Sequence, residues 1–243
     1  MRPNAVTRSW LGIVLILVGV LLGLLLSASI TWGESEAGLY TFYNGDRSLN
    51  IRCPLFLAQQ ETGTVTAQIT NLINEDITPT VSAQISHAGR PRKMDRVVSL
   101  GPHSSTRLEW SVESSDVVFK YLVLVTILQL RYRDNPSMIG SCGILVFSLF
   151  GLSGNATFGI ITAVSLIAMF LGAILWARAH PIASTFSLNL SRAGIVIIAI
   201  TILALVSTIL RWWWLTLVLD AGIVLMIGVI FSEFVLFPGK YKG

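Results

Sequence analysis

Two hydrophobic patterns divide this chain. Four stretches are apolar almost without interruption. Each is close to the ~20 residues that a helix needs to cross the ~30 Å hydrocarbon core of a bilayer. They cover residues 10–30, 157–176, 193–210 and 215–237. Between the first two stretches, apolar and polar residues alternate. This layout predicts a membrane α+β fold, with four transmembrane helices and a β domain between helices 1 and 2.

The alternation between the first two helices is typical of half-buried strands. Val65, Ala67 and Ile69 alternate with polar residues, and residues 80–86 repeat the pattern. We predict further strands at residues 49–57, 96–100, 107–112, 118–132 and 140–149. The last two are rich in apolar residues, which predicts a buried pair of strands. Seven short strands at regular spacing favour an antiparallel sandwich with immunoglobulin-like architecture.

The two patterns together predict three parts of the chain. Residues 1–32 form an N-terminal tail and the first transmembrane helix, and residues 33–154 form the β-sandwich. Residues 155–243 form a three-helix transmembrane bundle with a short tail. No long flexible linker separates the sandwich from the second span. We therefore expect the sandwich to stay close to the membrane.

The first apolar stretch has a second interpretation. Basic N-terminal residues, an apolar run and the small residues 27–29 also resemble a secretory signal peptide. The apolar part, residues 10–26, is longer than the ~7 to 15 residues usual in such a signal. Gly19 and Gly23 add a spacing that suits close helix packing. We therefore favour a retained anchor, and both interpretations place the β domain outside.

The positions of Lys and Arg predict the orientation of the spans. Short segments on the cytoplasmic side of a membrane protein are enriched in these residues. If all four segments cross, one side carries Arg2, Arg8, Arg178, Arg192, Lys240 and Lys242. The short loop on the other side carries only Arg211. We expect a multi-pass protein of the plasma (cell) membrane, with both termini cytoplasmic and the sandwich extracytoplasmic.

Composition and motifs narrow the function classes. Hydrophobic residues make up 53% of the chain and charged residues 12%, and about a quarter charged is usual in soluble domains. This apolar composition makes the lipid bilayer an expected partner. The net charge of +4 is not concentrated in a patch, so we expect no nucleic acid as a partner. The hydrolase, zinc-protease and nucleotide-binding motifs are missing. We expect no enzyme activity, no cofactor and no metal.

Cys53 and Cys142 are the only cysteines, and both fall in the β domain. Cysteines outside the cytosol tend to be oxidised, which predicts a disulfide between them. Closing a loop of this length would stabilise the fold by ~4 kcal/mol in the chain-entropy model. The alternative is a pair of buried free thiols.

Two acidic residues lie within the fourth span. Asp220 is at a depth where a carboxylate is costly, so it should face the bundle. The expected hydrogen-bond partners on neighbouring helices are Ser207, Thr162 and Ser165. Such a contact would be structural, and an ion or proton site is the alternative. Glu233 is close in depth to Arg192, which predicts a structural ion pair.

The most distinctive charged segment of the β domain is a predicted basic loop. It contains Arg90, Arg92, Lys93 and Arg96. Such a loop could bind an acidic partner, a glycan or anionic headgroups, and a solvated basic turn is the alternative. We expect the carboxylates of this domain, Asp46, Asp95, Glu109 and Asp116, to be solvated.

These features favour a non-enzymatic integral membrane protein. Its extracytoplasmic sandwich would bind a partner, most plausibly as an accessory or assembly subunit of a membrane or cell-envelope complex. The alternative is a channel or transporter subunit that uses the intramembrane carboxylate Asp220.

Overall fold

The computed structural model describes residues 5–40, 45–179 and 185–236. Within these ranges, the side chains of residues 5–6, 185–191, 230–231 and 233–236 lie outside the description. The chain divides into two compact units. One, the helical bundle, combines Met1–Thr31 with Gly159–Gly243, and the other, the sandwich unit, is Trp32–Phe158.

The described residues contain four helices, and their bounds are α1 Ala5–Leu39, α2 Gly154–Ala179, α3 Thr185–Ile209 and α4 Trp213–Leu236. Three of them contain segments long and apolar enough to cross a membrane, namely Thr7–Leu39, Gly154–Ala179 and Arg192–Ile209. The described apolar part of α4, Trp213–Val229, is shorter. Long apolar helices of this kind agree with the prediction of a membrane protein.

The nine strands of the sandwich unit form two sheets. Their bounds are β1 Arg47–Ser48, β2 Asn50–Arg52, β3 Phe56–Leu57, β4 Gly63–Thr70, β5 Thr80–Ile85, β6 Arg92–Val97, β7 Ser105–Val112, β8 Leu122–Gln129 and β9 Met138–Val146. One sheet has the order β1-β9-β8-β5-β6, with β3 also paired to β9, and the other has the order β2-β4-β7.

Both sheets contribute to one hydrophobic core. Val65, Ile69 and Trp110 come from the three-stranded sheet, and Val125 and Ile144 come from the larger one. The alternating burial of β4 and β5 confirms the strands predicted from their period of two. A β-sandwich of two sheets is therefore present between α1 and α2.

One predicted strand, residues 49–57, is broken into two short strands, β2 and β3. β2 pairs with β4 in the small sheet, whereas β3 pairs with β9 in the large one. Pro54 lies between them and has no backbone N–H to continue a ladder. The chain therefore changes sheets at this proline.

The first of the two apolar runs that we predicted to be buried strands is strand β8. All eight of its residues are buried. Its inward-facing residues, including Val123 and Val125, belong to the sandwich core. On its outer face, Leu122 lies beside Gly33 of α1. A strand covered on both faces has no need for alternation.

Helix α1 continues nine residues beyond the predicted end of the first span at residue 30. Residues 33–39, which we expected in the β domain, are helical, and Glu34, Glu36 and Ala37 are good helix formers. Gly33 packs directly against Gly143 of β9, where a side chain on Gly143 would collide with the backbone of Gly33. The end of α1 is therefore part of the sandwich unit.

Candidate functional site

The predicted disulfide is present. Cys53 and Cys142 are bonded, with their Cα atoms 6.6 Å apart. Cys142 lies in the hydrophobic core on β9, and Cys53 follows β2. The bond therefore joins the beginning of the sandwich to its last strand.

The four basic residues predicted as a loop lie mostly on a strand, which corrects our expectation. Arg92, Lys93 and Arg96 belong to β6, the last strand of the six-stranded sheet, and Arg90 is in the preceding turn. The sequence hides this strand because polar residues occupy both of its faces, and Met94 is its only apolar residue before Val97. An edge strand with charged side chains is a common protection against unwanted pairing.

The partly exposed side chain of Arg92 binds groups of the sandwich itself. Its guanidinium donates hydrogen bonds to the carboxylate of Asp116, at 2.8 Å, and to the carbonyl of Ser111, at 2.7 Å. Asp116 is buried, and it also accepts a hydrogen bond from the backbone N–H of Glu113. His87 Nδ1 lies 3.6 Å from the same carboxylate. Asp116 is thus a structural anchor, contrary to the expectation of a solvated carboxylate.

The other basic residues of this cluster are more exposed. The guanidinium of Arg96 lies over the buried ring of Trp110, 5.6 Å from its centroid. Lys93 and Asp95 form an exposed ion pair at 3.5 Å. A hydrogen bond from Ser82, followed by the charge of Lys93, holds the pKa of Asp95 below its usual value.

The backbone of β6 has one paired side and one side without a strand in the described part of the chain. Its residues pair with β5, and Val98 N–H continues the ladder to the carbonyl of Pro79. Because pairing alternates along an antiparallel strand, the N–H groups of Lys93, Asp95 and Val97 point away from β5. Val97 is 71% exposed. This edge offers unpaired backbone groups beside the basic residues that the sequence predicted, within the part of the chain that the structure describes.

In the bundle, Asp220 has a different partner from those we predicted. The hydroxyl of Ser27 on α1 donates a hydrogen bond of 2.8 Å to its carboxylate, and both residues are buried. Ser27 had been noted only as a small residue of a possible signal peptide. It was missed because the faces that α1 presents to other helices cannot be read from an almost uniformly apolar sequence.

In the part of the chain that the structure describes, the three residues expected to bind Asp220 form no hydrogen bond with it. Ser207 shares a 2.6 Å hydrogen bond with Thr216 of α4. Ser165 donates to the carbonyl of Gly19, at 2.7 Å. The buried hydroxyl oxygen of Thr162 has no hydrogen-bond partner among the described residues. The polar residues of the bundle are therefore distributed over separate contacts and do not form one cluster around Asp220.

Glycines allow α1 and α2 to approach closely. A Cβ on Gly19 would lie 2.7 Å from the carbonyl oxygen of Ser165 and 2.9 Å from the nitrogen of Met169. A Cβ on Gly12 would lie 2.9 Å from the carbonyl oxygen of Gly172. These distances leave no room for a side chain, so the two backbones pack against each other as in small-residue membrane interfaces.

The predicted Glu233–Arg192 ion pair lies outside the described residues, because the side chain of Glu233 is not among them. Arg192 is exposed. Within the described part of the chain, no three His, Cys, Asp or Glu side chains are placed to hold a metal ion.

No family model and no curated protein matches this chain. Among solved structures, a cycloisomaltooligosaccharide glucanotransferase from Paenibacillus sp. is 21% identical, with a TM-score of 0.35, over 44% of this chain and 15% of its own. A CARDB domain from Pyrococcus furiosus is 16% identical, with a TM-score of 0.32, over 44% of this chain and 92% of its own. A superoxide reductase from Ignicoccus hospitalis is 12% identical, with a TM-score of 0.31, over 42% of this chain and 81% of its own. At this level of similarity, none of them assigns a function to this chain.

Proposed function

We propose that this chain is a non-enzymatic integral membrane protein whose sandwich binds a protein partner, as an accessory or assembly subunit of a membrane or cell-envelope complex. The observation that carries the proposal is the unpaired side of β6 in the described structure, with its outward N–H groups and exposed Val97. Extended segments of partner proteins commonly add to such an edge as a further strand.

The proposed membrane layout has four spans, both termini in the cytoplasm and an extracytoplasmic immunoglobulin-like sandwich. Its support is the uneven distribution of Lys and Arg between the short segments. Helix α1 remains in the mature protein in this proposal. The contact between Ser27 and Asp220 and the packing of Gly19 against Ser165 support its retention, because cleavage after residues 27–29 would remove them.

The layout is tested on intact cells with single cysteines and a membrane-impermeant thiol reagent. Residue 90 should be labelled from outside, and a cysteine placed after Gly243 should be labelled only after permeabilisation. External labelling of the C-terminus would contradict the four-span layout. Intact-mass analysis of the purified protein should include residues 1–30, and a mature N-terminus near Ile30 would show that the first helix is a cleaved signal.

Basic side chains beside the β6 edge add positive charge to this proposed binding surface. Arg90 and Lys93 are exposed beside it, which favours an acidic segment of the partner. Arg92 and Arg96 contribute less to that surface, because they are bound to Asp116 and stacked on Trp110. The proposed binding surface therefore consists of the side chains of Arg90 and Lys93 and the outward backbone N–H groups of Lys93, Asp95 and Val97.

The experiment compares two substitutions at one position. Asp95→Pro removes an outward N–H and should leave the pairing with β5 intact, whereas Asp95→Ala keeps the N–H and removes the same carboxylate. Tagged full-length protein is purified in mild detergent, and co-purifying chains are quantified by mass spectrometry. A stoichiometric partner should remain with wild type and Asp95→Ala and be lost with Asp95→Pro. Equal recovery with both variants would exclude strand addition at this edge, and no partner at all would contradict the proposed function.

A second candidate function is ion or proton transport through the bundle. The buried carboxylate of Asp220 is the observation that favours it. Its hydrogen bond to Ser27 gives the same carboxylate a structural role that requires no transport. The Asp220 variants described in the Discussion separate these two roles.

A further inference from the structure

Exposed aromatic side chains collect at one end of the sandwich. We call this group the aromatic rim, and it consists of Trp32, Phe119, Tyr121, Phe147 and Phe150. Phe119 is 60% exposed and Phe150 is 94% exposed. Among the described residues of the sandwich unit, every large aromatic side chain classed as exposed belongs to this rim.

Hydrogen bonds and a ring contact place four members of the rim at the same end, and Phe150 follows Phe147 by three residues. Phe119 and Tyr121 lie in a tight turn that is closed by hydrogen bonds between Val118 and Leu122. The carbonyl of Tyr121 accepts a hydrogen bond from Val146, the residue before Phe147. The rings of Tyr121 and Trp32 are 5.5 Å apart between centroids.

The backbone of these turns does not explain the aromatic residues. Phe119, Lys120 and Phe150 have positive φ angles, of 52°, 71° and 51°. This conformation is strained for side chains of this size and is adopted at lower cost by Gly or Asn. The exposed rings also contribute little to the core. A role in contacts with surroundings that are partly apolar accounts for both features.

Helix α2 begins close to this rim. Phe150 is four residues before Gly154, the first residue of α2, which is at most ~14 Å of extended chain. Gly154 donates a backbone hydrogen bond of 2.7 Å to Glu61, and Phe158 contacts Phe56, so the first turn of α2 is attached to this end of the sandwich. The rim is therefore held close to the point where a membrane-crossing helix leaves the sandwich unit.

We infer that the aromatic rim inserts into the headgroup region of the bilayer and seats the sandwich on the lipid surface. Aromatic side chains are enriched at this depth because their rings are apolar and their edges tolerate water. Lys120, exposed between two rim residues, can approach lipid phosphates. The inference rests on the membrane layout proposed above, and it concerns a surface other than the β6 edge.

The test uses full-length protein in liposomes, with one nitroxide label at a time on an introduced cysteine at position 119, 150, 97 or 167. Collisions with oxygen, which concentrates in lipid, and with a water-soluble nickel chelate report the depth of each label. Val97 is the matched exposed apolar position away from the rim, and Ile167, in the middle of α2, is the membrane control. Unsubstituted protein should take up no label, because Cys53 and Cys142 are bonded.

The oxygen-to-nickel collision ratio at positions 119 and 150 should be several-fold higher than at position 97 and lower than at position 167. A ratio at both rim positions equal to that at position 97 would overturn the inference. Immobile labels that neither reagent reaches would overturn it in favour of a protein partner at the rim. A water-like ratio at position 167 would instead contradict the membrane layout itself, so the two failures are distinguishable.

Discussion

Different kinds of contact stabilise the interior of the sandwich and the interior of the helical bundle. In the sandwich, directional contacts join residues far apart in the chain, as in Cys53–Cys142 and Arg92–Asp116. In the bundle, many hydroxyls bond within their own helix, as Thr201 does to the carbonyl of Ile197, and the helices meet through glycines and small residues. Apolar surface gives little driving force between helices in lipid, so close packing has to supply it. The sandwich should therefore be sensitive to removal of groups, and the bundle to added volume.

The largest effect should follow from removal of the disulfide. Cys53→Ala combined with Cys142→Ala should lower the free energy of unfolding of the sandwich by about 4 kcal/mol, because the unfolded chain gains the freedom of a long loop. Hydrogen exchange of the β8 and β9 amides, followed by mass spectrometry, measures this stability separately from that of the bundle. Exchange in the bundle is the internal control. Unchanged protection of β8 and β9 in the double variant would show that the bond adds nothing to stability.

Arg92→Ala should have the next largest effect. It leaves the buried carboxylate of Asp116 without its cation, and because the Arg92 side chain is 36% exposed, the cost should be below the ~3 kcal/mol of a fully buried pair. Lys93→Ala is the matched control, because its ion pair with Asp95 is exposed and worth about 1 kcal/mol or less. The same exchange experiment compares the two variants. Similar losses of protection in the two variants would mean that Arg92 does not stabilise the fold through the buried carboxylate of Asp116.

Gly19→Ala tests the bundle by adding a single methyl group. The added Cβ would contact the backbone of Ser165 and Met169, which should force α1 and α2 apart at a cost of roughly 1 to 3 kcal/mol. Gly159→Ala is the matched control, because no described atom outside its own helical turn lies within 4 Å of its Cβ position and alanine favours a helix. The midpoint temperature of thermal unfolding in detergent should decrease for Gly19→Ala and stay equal or increase for Gly159→Ala. A Gly19→Ala protein as stable as wild type would argue against the close packing.

Asp220 tests whether the bundle depends on a hydrogen bond or on a charge. Asp220→Asn can keep the contact with Ser27, whereas Asp220→Leu loses it, at about 0.5 to 2 kcal/mol. Ser27→Ala should match the loss seen with Asp220→Leu. Liposome flux assays complete the comparison. Ion or proton flux in wild type that disappears in an equally stable Asp220→Asn protein would favour the transport alternative.

The smallest effect concerns a surface carboxylate. Two hydrogen bonds from Ser137, from its hydroxyl and its backbone N–H, hold the pKa of Asp46 below its usual value. A lowered pKa in the folded state stabilises the fold above the unfolded value of about 4, and this contribution is lost as the pH falls through the lowered pKa. Ser137→Ala should reduce the loss of protection at the start of β9 between neutral and acid pH. An unchanged pH profile would show that the hydroxyl has no part in it.

The sequence predicted the elements whose pattern is set locally. β4 and β5 alternate, and β8 and β9 are too short to cross a membrane, so their identity follows from period and length. β6 was misplaced because an edge strand need not alternate when charged side chains reach to both sides. The position of that strand depends on pairing with β5, which no local pattern records.

The site residues differ in the same way. The pairing of Cys53 with Cys142 was predictable because the chain offers no other choice. The burial of Asp116 and its bond to Arg92 were not, because a short 3-10 turn at Ser114–Asp116 brings them together. Ser27 was equally hidden. One hydroxyl in an apolar helix carries no mark of which neighbour it faces.

The disulfide also determines what happens when the chain is cut. Any single break between Cys53 and Cys142, for instance in the exposed turn around Gly89, leaves the two fragments covalently joined. The fragment that carries α1 and the fragment that carries α2, α3 and α4 then remain one molecule until a reductant separates them. A protein cut at an exposed loop tip would in this way keep α1 joined to α2, α3 and α4 after the first cut.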